Sequence, residues 1–325
     1  MLSFNEYLGQ VNDAVAAIEY YPLQPAGLYE PIEYTMSLGG KRVRPSLVLM
    51  ACDAFGGNVA DSVAPAIGLE LFHNFTLLHD DVMDKADIRR GKPTVHVKWN
   101  ENTAILSGDA MLTMSAQYIA KAPAAVMPAA MNLYNATAME IYEGQQYDME
   151  FEERMDVKEE EYLNMIRLKT SVLLGCACKM GAIVAGAEES DAALIYRFGE
   201  LIGLAFQLQD DLLDVYGDEK TFGKAIGGDI MNNKKTFMLI KAIEMSSGDD
   251  HAELLQWINA VSPDKAEKIA AVTDIYTRVG VKALAEERIE QYSKEALATL
   301  EAINMSEEGK QAFRAFADYL MKRNK

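Results

Sequence analysis

The chain is poor in cysteine and histidine, with three of the first and four of the second in 325 residues. Cys52, Cys176 and Cys178 make no even framework. The last two lie two apart in a helical pattern, where side chains face apart, so they read as buried, reduced thiols. No basic stretch followed by an apolar core and a cleavage site opens the chain, and no apolar run reaches spanning length. A cytoplasmic protein without stable membrane insertion is expected. Positive charge is scarce too: 31 Lys and Arg against 49 Asp and Glu leave a formal charge of −18. Binding to nucleic acid or an anionic membrane needs a basic footprint that this composition lacks. An anionic substrate would therefore need metal and local Lys or Arg. Strand-like alternation, linkers, low-complexity tracts and fixed-period repeats are nearly or wholly missing.

What the chain has in quantity is helix. Half of it is apolar, and Ala, Leu, Glu, Met and Lys recur, which predicts an all-α fold with a large core. No linker divides it, so we expect one domain, 1–325, forming a helical bundle around a central cleft. Helical patterns cover 3–19, 28–38, 45–55, 61–84, 101–120, 124–153, 159–186, 190–216, 235–246, 250–260, 263–301 and 306–322. Residues 63–83 are apolar nearly all round, the mark of a helix wrapped by others. The 18 methionines read as core filler.

Two strings stand out, Leu77-Leu78-His79-Asp80-Asp81-Val82-Met83-Asp84 and Gln207-Leu208-Gln209-Asp210-Asp211-Leu212-Leu213-Asp214. Each sets D-D-x-x-D in an apolar helical run, so the first and third carboxylates lie one turn apart with the middle one beside them. Crowded carboxylates in apolar surroundings repel and call for a cation. Oxygen ligands without His or Cys suit a hard ion that keeps its waters, and a substrate phosphate is the usual reason to hold Mg²⁺ this way. A polar loop follows each string, 85–93 and 217–233. Basic residues gather nearby. Gly39-Gly40-Lys41-Arg42-Val43-Arg44-Pro45 reads as a helix stop, a turn and a helix start presenting Lys41 and Arg44, a second phosphate site. Arg89 and Arg90 follow the first string, and Lys224 and Lys234 bracket the Gly-rich loop after the second.

With these motifs the chain resembles the trans-isoprenyl diphosphate synthase family. The likeness runs through GGKRVRP, LLHDDVMD, RRGKPT, Leu168-Lys169-Thr170, FQLQDDLLD, GKAIGGD and Asn233-Lys234-Lys235-Thr236. It implies a helical bundle, a homodimer, and head-to-tail joining of isopentenyl diphosphate to an allylic diphosphate (dimethylallyl, geranyl or farnesyl). It also implies Mg²⁺, three ions per active site, with Mn²⁺ able to substitute. By resemblance, Asp80, Asp84 and Asp210 match metal ligands, with Asp81, Asp211 and Asp214 nearby. Lys41, Arg44, His73 and Arg90 match isopentenyl diphosphate contacts. Arg89, Lys169, Lys224 and Lys234 match allylic diphosphate contacts, while Thr170, Gln207 and the Lys169 carbonyl would stabilise the allylic cation. Helix geometry adds that His73 lies two turns before Asp80 on the same face, and that Gln207 shares a face with Asp210 and Asp211.

Plainer readings exist. A lone D-D-x-x-D is a solvated helix end, His73 alone a core histidine, Lys41 and Arg44 loop charges, and Arg89-Arg90 a helix C-cap. The pairing of the two strings with matching loops favours function. Among rival functions, Glu70 and His73 form one E-x-x-H pair where a di-iron bundle needs two. His79-Asp80 would suit an HD-type metal phosphohydrolase, and a non-catalytic partner subunit would show degraded motifs, which are absent here. Terpene cyclases share the first motif but lack GGKRVRP. For product length, the resemblance nominates Phe75, five residues before Asp80, as the pocket floor, with Thr76 small and Phe72 as the alternative. Helix arithmetic alone puts Thr76 about 40° and Phe75 about 140° from the Asp80 direction. The pattern looks most like geranylgeranyl-forming members, with farnesyl second.

Overall fold

A computed structural model describes residues 1–20, 23–218 and 226–322. The helices are α1 (Phe4–Ala16), α2 (Ala26–Ser37), α3 (Val43–Ala54), α4 (Val59–Met83), α5 (Val95–Lys98), α6 (Glu101–Ile119), α7 (Met127–Glu153) and α8 (Glu159–Ile166). A π-helical turn, Arg167–Ser171, joins α8 to α9 (Val172–Ala185), and α10 (Glu189–Tyr216) carries the second aspartate string. Then come α11 (Gly228–Met231), α12 (Phe237–Met245), α13 (Gly248–Ile258), α14 (Lys265–Arg278), α15 (Val281–Glu301) and α16 (Glu307–Lys322). Among the described residues the only strands are β1 (Ile88–Arg89) and β2 (Lys92–Pro93), a two-stranded hairpin. The all-α expectation agrees with this architecture.

Contacts divide the chain into two compact units. One comprises 1–136, 176–195 and 304–312, the other 137–175, 196–303 and 313–325. In the first, α4 is the central element, capped by the Asn58 side chain and buried from Ser62 through Phe75 at most positions. It packs on α3 and α6. Two glycines set the α4–α6 spacing. A β-carbon on Gly68 would lie 2.8 Å from Ile119, and one on Gly108 would lie 2.2 Å from His79 Nε2. Helices approach this closely only where a side chain is missing. In the second unit, Phe151, Tyr162, Leu204, Leu208, Phe237, Leu239, Ile275 and Tyr276 build the core beneath the second string.

Besides the short helices α5 and α11, which no helical pattern covered, three features depart from the sequence pattern. The predicted helix 263–301 is broken at Gly280, whose φ of 81° ends α14 and caps α15. The predicted helix 159–186 contains the π turn. The loop 85–93 holds the hairpin, whose turn residues Arg90 and Gly91 both have positive φ, as a tight two-residue turn requires.

Candidate active site

The first string ends α4, where the helix dipole is negative and carboxylates are intrinsically disfavoured, so cations must offset it. The three aspartates are not equivalent. Asp80 is half-buried and Asp84, the C-cap, is exposed, whereas Asp81 is only 5% exposed. Both Asp81 oxygens accept from Arg89 Nε at 2.8 Å, and Arg89 Nη2 adds a third contact at 2.7 Å. Such a forked pair is geometrically demanding. Asp81 thus holds the half-buried Arg89 side chain against the end of α4. Arg90, at the hairpin tip, donates through Nη1 to the Gly39 carbonyl, and a β-carbon on Gly40 would meet its guanidinium within 3.1 Å. The RRGKPT hairpin is thereby tied to the GGKRVRP turn.

That turn separates its cations. Arg42, in the left-handed region at φ 45°, is buried and donates to Glu70 Oε1 at 2.5 Å and to the Met36 carbonyl at 2.6 Å. Asn74 also donates to Glu70 Oε1, at 2.8 Å. Arg42 anchors the turn while Lys41 stays exposed. Arg44 Nη1 lies 3.2 Å from His73 Nε2. Because a guanidinium only donates, that nitrogen accepts and the His73 proton sits on Nδ1. Burial, then the charges of Arg44, Arg90, Arg89 and Arg42, hold His73 well below its ordinary value, so it is neutral. Burial lowers Arg44 to about 10, and its Nε is buried without a hydrogen-bond partner among the described residues.

Of the residues nominated for the pocket floor, Phe75 is buried, with its ring 5.6 Å from Phe72 and 4.8 Å from His79. Phe72 in turn meets Tyr134 edge-on at 5.5 Å. Thr76 returns its hydroxyl to the His73 carbonyl at 2.8 Å. His79 Nε2 lies 3.0 Å from the Ile105 carbonyl, which can only accept, so Nε2 carries the proton. An HD-type phosphohydrolase would need this imidazole as a ligand; here it is a packing group between α4 and α6.

In the second unit, Gln207, Asp210 and Asp214 are half-buried along one side of α10, and Asp211 faces inward at 4% exposure. Asp211 accepts a short hydrogen bond from the Tyr162 hydroxyl and a longer one, 3.4 Å, from the Phe237 N–H. Burial pushes Asp211 up to about 7, with Tyr162 opposing and the charge of Asp229 adding. Asp214 Oδ2 accepts from the Asp229 N–H at 3.0 Å, and its carbonyl accepts from the Gly227 N–H at 2.7 Å. Lys169 and Thr170 sit in the π turn, a geometry frequent at functional sites. A β-carbon on Gly144 would lie 2.4 Å from Lys169 N, and one on Gly203 would lie 2.7 Å from Ser171 Cα, so two glycines seat the turn. Lys169 Nζ donates to Asp148 at 2.5 Å. Burial would raise Asp148, yet Lys234 and Lys169 together hold it below its ordinary value. Lys234 is exposed. Lys224 lies outside the described residues.

Asp148 and Tyr162 were not singled out by sequence pattern, and the pairing of Arg42 with Glu70 was not foreseen. Gly144 inside a long helix was the one available signal for Asp148, since a mid-helix glycine demands a packing reason. Among the described residues no three carboxylate, imidazole or thiol groups converge to cage a metal unaided. Asp80, Asp84 and Asp210 instead offer solvent-accessible carboxylates at helical sites. Within each string, such carboxylates fit Mg²⁺, which keeps several waters and binds through one or two carboxylates plus substrate phosphate.

Comparison with known proteins agrees with this chemistry. A family model for polyprenyl synthetase matches residues 25–276. A geranylgeranyl diphosphate synthase of Sulfolobus acidocaldarius is 36% identical over 328 residues, covering 99% of this chain and 98% of that protein. A geranylfarnesyl diphosphate synthase of Natronomonas pharaonis is 34% identical over 335 residues, covering 97% and 95%. The crystal structure of a geranylgeranyl pyrophosphate synthase matches with a TM-score of 0.92 at 43% identity, over 100% of both chains. The chain belongs to the polyprenyl synthetase family and is a prenyltransferase of the isoprenyl diphosphate synthase kind.

Proposed function

We propose that this enzyme condenses isopentenyl diphosphate with an allylic diphosphate, head to tail, to give a prenyl diphosphate of twenty carbons and inorganic diphosphate. Asp80, Asp84 and Asp210 would hold Mg²⁺, which neutralises the leaving diphosphate as its charge develops. Arg89, Lys169, Lys224 and Lys234 bind the remaining oxygens of the allylic diphosphate. The C1–O bond breaks, and the Thr170 hydroxyl, the Gln207 amide and the Lys169 carbonyl face the allylic cation with the negative ends of their dipoles. The isopentenyl double bond attacks C1, forming the new carbon–carbon bond. The proton then lost from C2 passes to the departed diphosphate, and no protein nucleophile is needed. Lys41, Arg44, His73 and Arg90 hold the isopentenyl diphosphate, and Phe75, backed by Phe72, closes the pocket past Thr76.

Arg44 carries the reading. Its buried, unpartnered Nε is a donor whose vacancy costs about 1–3 kcal/mol, and neutral His73 beside it leaves the guanidinium charge available to an anion. A second anionic substrate, apart from the one the aspartates serve, supplies the acceptor. The test is to supply dimethylallyl, geranyl and farnesyl diphosphates in turn with isopentenyl diphosphate and Mg²⁺, and to chromatograph the products. Twenty-carbon product from each is expected. Diphosphate release that does not depend on isopentenyl diphosphate would overturn the reading. Arg44→Ala should raise the KM for isopentenyl diphosphate while leaving that for the allylic substrate near wild type.

The working form we propose is a cytoplasmic homodimer in which residues 1–325 act as one catalytic domain. Ile105 and Leu106 on α6 are 45% and 60% exposed. A second copy of the chain would cover these apolar side chains.

A further inference from the structure

Helix α14 carries a charged residue that none of the chemistry above uses. Lys268 is 2% exposed, as buried as the core phenylalanines. No ion pair joins it to a carboxylate among the described residues. Its Nζ donates to Asn233 Oδ1 at 2.7 Å and to the Met231 carbonyl at 3.3 Å. Burial pushes its ammonium below the ordinary value, so the site is held at a cost.

What Lys268 touches is the turn leading from α11 into α12. Asn233 sits in the left-handed region, at φ 50°. Its side chain is held at both ends, the oxygen by Lys268 and the amide nitrogen by donation to the Ile258 carbonyl at 3.0 Å. The next residue is Lys234, whose N–H donates to the Asp229 carbonyl at 2.9 Å while its own carbonyl accepts from the Thr236 N–H at 2.8 Å. The adjacent α14 residue, Ile269, meets the same segment from below: a β-carbon on Gly227 would lie 2.5 Å from it. Lys268 and Ile269 of α14 thus meet this segment at Gly227, Met231 and Asn233. The turn in turn sets the backbone of Asp229, which donates to Asp214, and aims Lys234, whose charge acts on both Asp148 and Asp211.

We propose that Lys268 is a positioning residue for allylic diphosphate binding, fixing the left-handed Asn233 so that Lys234 is presented to the substrate in one orientation. The inference rests on the assignment of Lys234 to the allylic diphosphate in the proposed function. Lys268 touches no substrate. It acts through Asn233, and a preset turn spares the ordering that a mobile lysine would undergo on binding.

The test compares Lys268→Met, Asn233→Gly and Lys234→Ala in the full chain, with steady-state constants for both substrates and a melting curve for each. Methionine keeps the apolar stem without the donor, and glycine keeps the left-handed backbone without the acceptor. Lys268→Met and Asn233→Gly should each raise the KM for the allylic substrate about tenfold, with the KM for isopentenyl diphosphate within about twofold of wild type. Their combination should do little more than either alone, because both break one contact. If the melting temperature falls while both Michaelis constants hold, Lys268 is merely structural and the inference is wrong. Equal rises for both substrates would overturn it as well. Should Lys268→Met fail to fold, Asn233→Gly carries the same comparison. Lys234→Ala separates the two levels: no allylic effect there overturns the assignment of Lys234 and this inference with it, whereas an allylic effect there without one in Asn233→Gly overturns the inference alone.

Discussion

Asp80, Asp81 and Asp84 occupy one turn of helix and meet three different fates: half-buried, paired bidentately to Arg89, and exposed at the C-cap. Removal of an oxygen that meets metal should therefore act on turnover. Asp80→Ala and Asp210→Ala are expected to lower kcat by about a hundredfold or more, since leaving-group charge goes unmatched as it develops. Near-normal turnover in either would refute its role. Phe75 tests the pocket floor. Phe75→Ala should lengthen the product by at least one five-carbon unit without collapse of rate, alongside a stability loss of about 3–5 kcal/mol from the cavity. Unchanged product with a lower melting temperature would make Phe75 packing alone. His73 supplies a pH signature. Burial and four nearby guanidiniums depress it in the folded state, whereas unfolding returns it toward 6.5. Stability from keeping it neutral is present above about pH 6.5 and is lost as pH falls toward the folded value, by at most about 1.4 kcal/mol per pH unit. The stability gap between wild type and His73→Gln should narrow as pH drops below 6.5; parallel melting curves would contradict this.

At the scale of elements, most of the fold was legible because apolar residues at helical spacing mark long helices whatever surrounds them. The exceptions have definite physical causes. The apolar pattern continues through Gly280, and a lone glycine does not forbid helix, so the break was hidden. Two-residue strands carry no period, so the Arg89–Lys92 hairpin read as loop. The π turn depends on a backbone register that side-chain spacing does not encode. The site divides in the same way. The aspartate strings and the flanking cations announce themselves by local repetition, but Asp148 meets Lys169 across 21 positions and Lys268 meets Asn233 across 35. Only folding brings such pairs together. The α4–α6 contact offers its own test: Gly108→Ala would drive a methyl into His79, and about 1–3 kcal/mol of destabilisation is expected. Adding His79→Ala should recover much of that loss, and an additive double variant would show that the two do not share one space.

For the whole molecule, a charge of −18 coexists with two anionic substrates. Beyond about 8–10 Å, salt screens the acidic surface, so binding depends on the guanidiniums and ammoniums held close to the carboxylates and not on net charge. The exposed α6 side chains carry the oligomer expectation. Leu106→Lys should shift the protein from dimer to monomer in sedimentation or gel filtration while preserving helical content, and an unmoved dimer would place the interface elsewhere.

The two compact units are not two stretches of gene. The polypeptide passes between them after residues 136, 175, 195, 303 and 312, and four of those points fall inside α7, α9, α10 and α16. No single cut releases either unit whole, and a cut at any of the four would sever a helix in mid-ladder. A single crossover therefore cannot exchange one unit whole without part of the other. Hybrid prenyltransferases joined at these four boundaries should misfold, whereas exchanges in the connections between helices leave each helix whole.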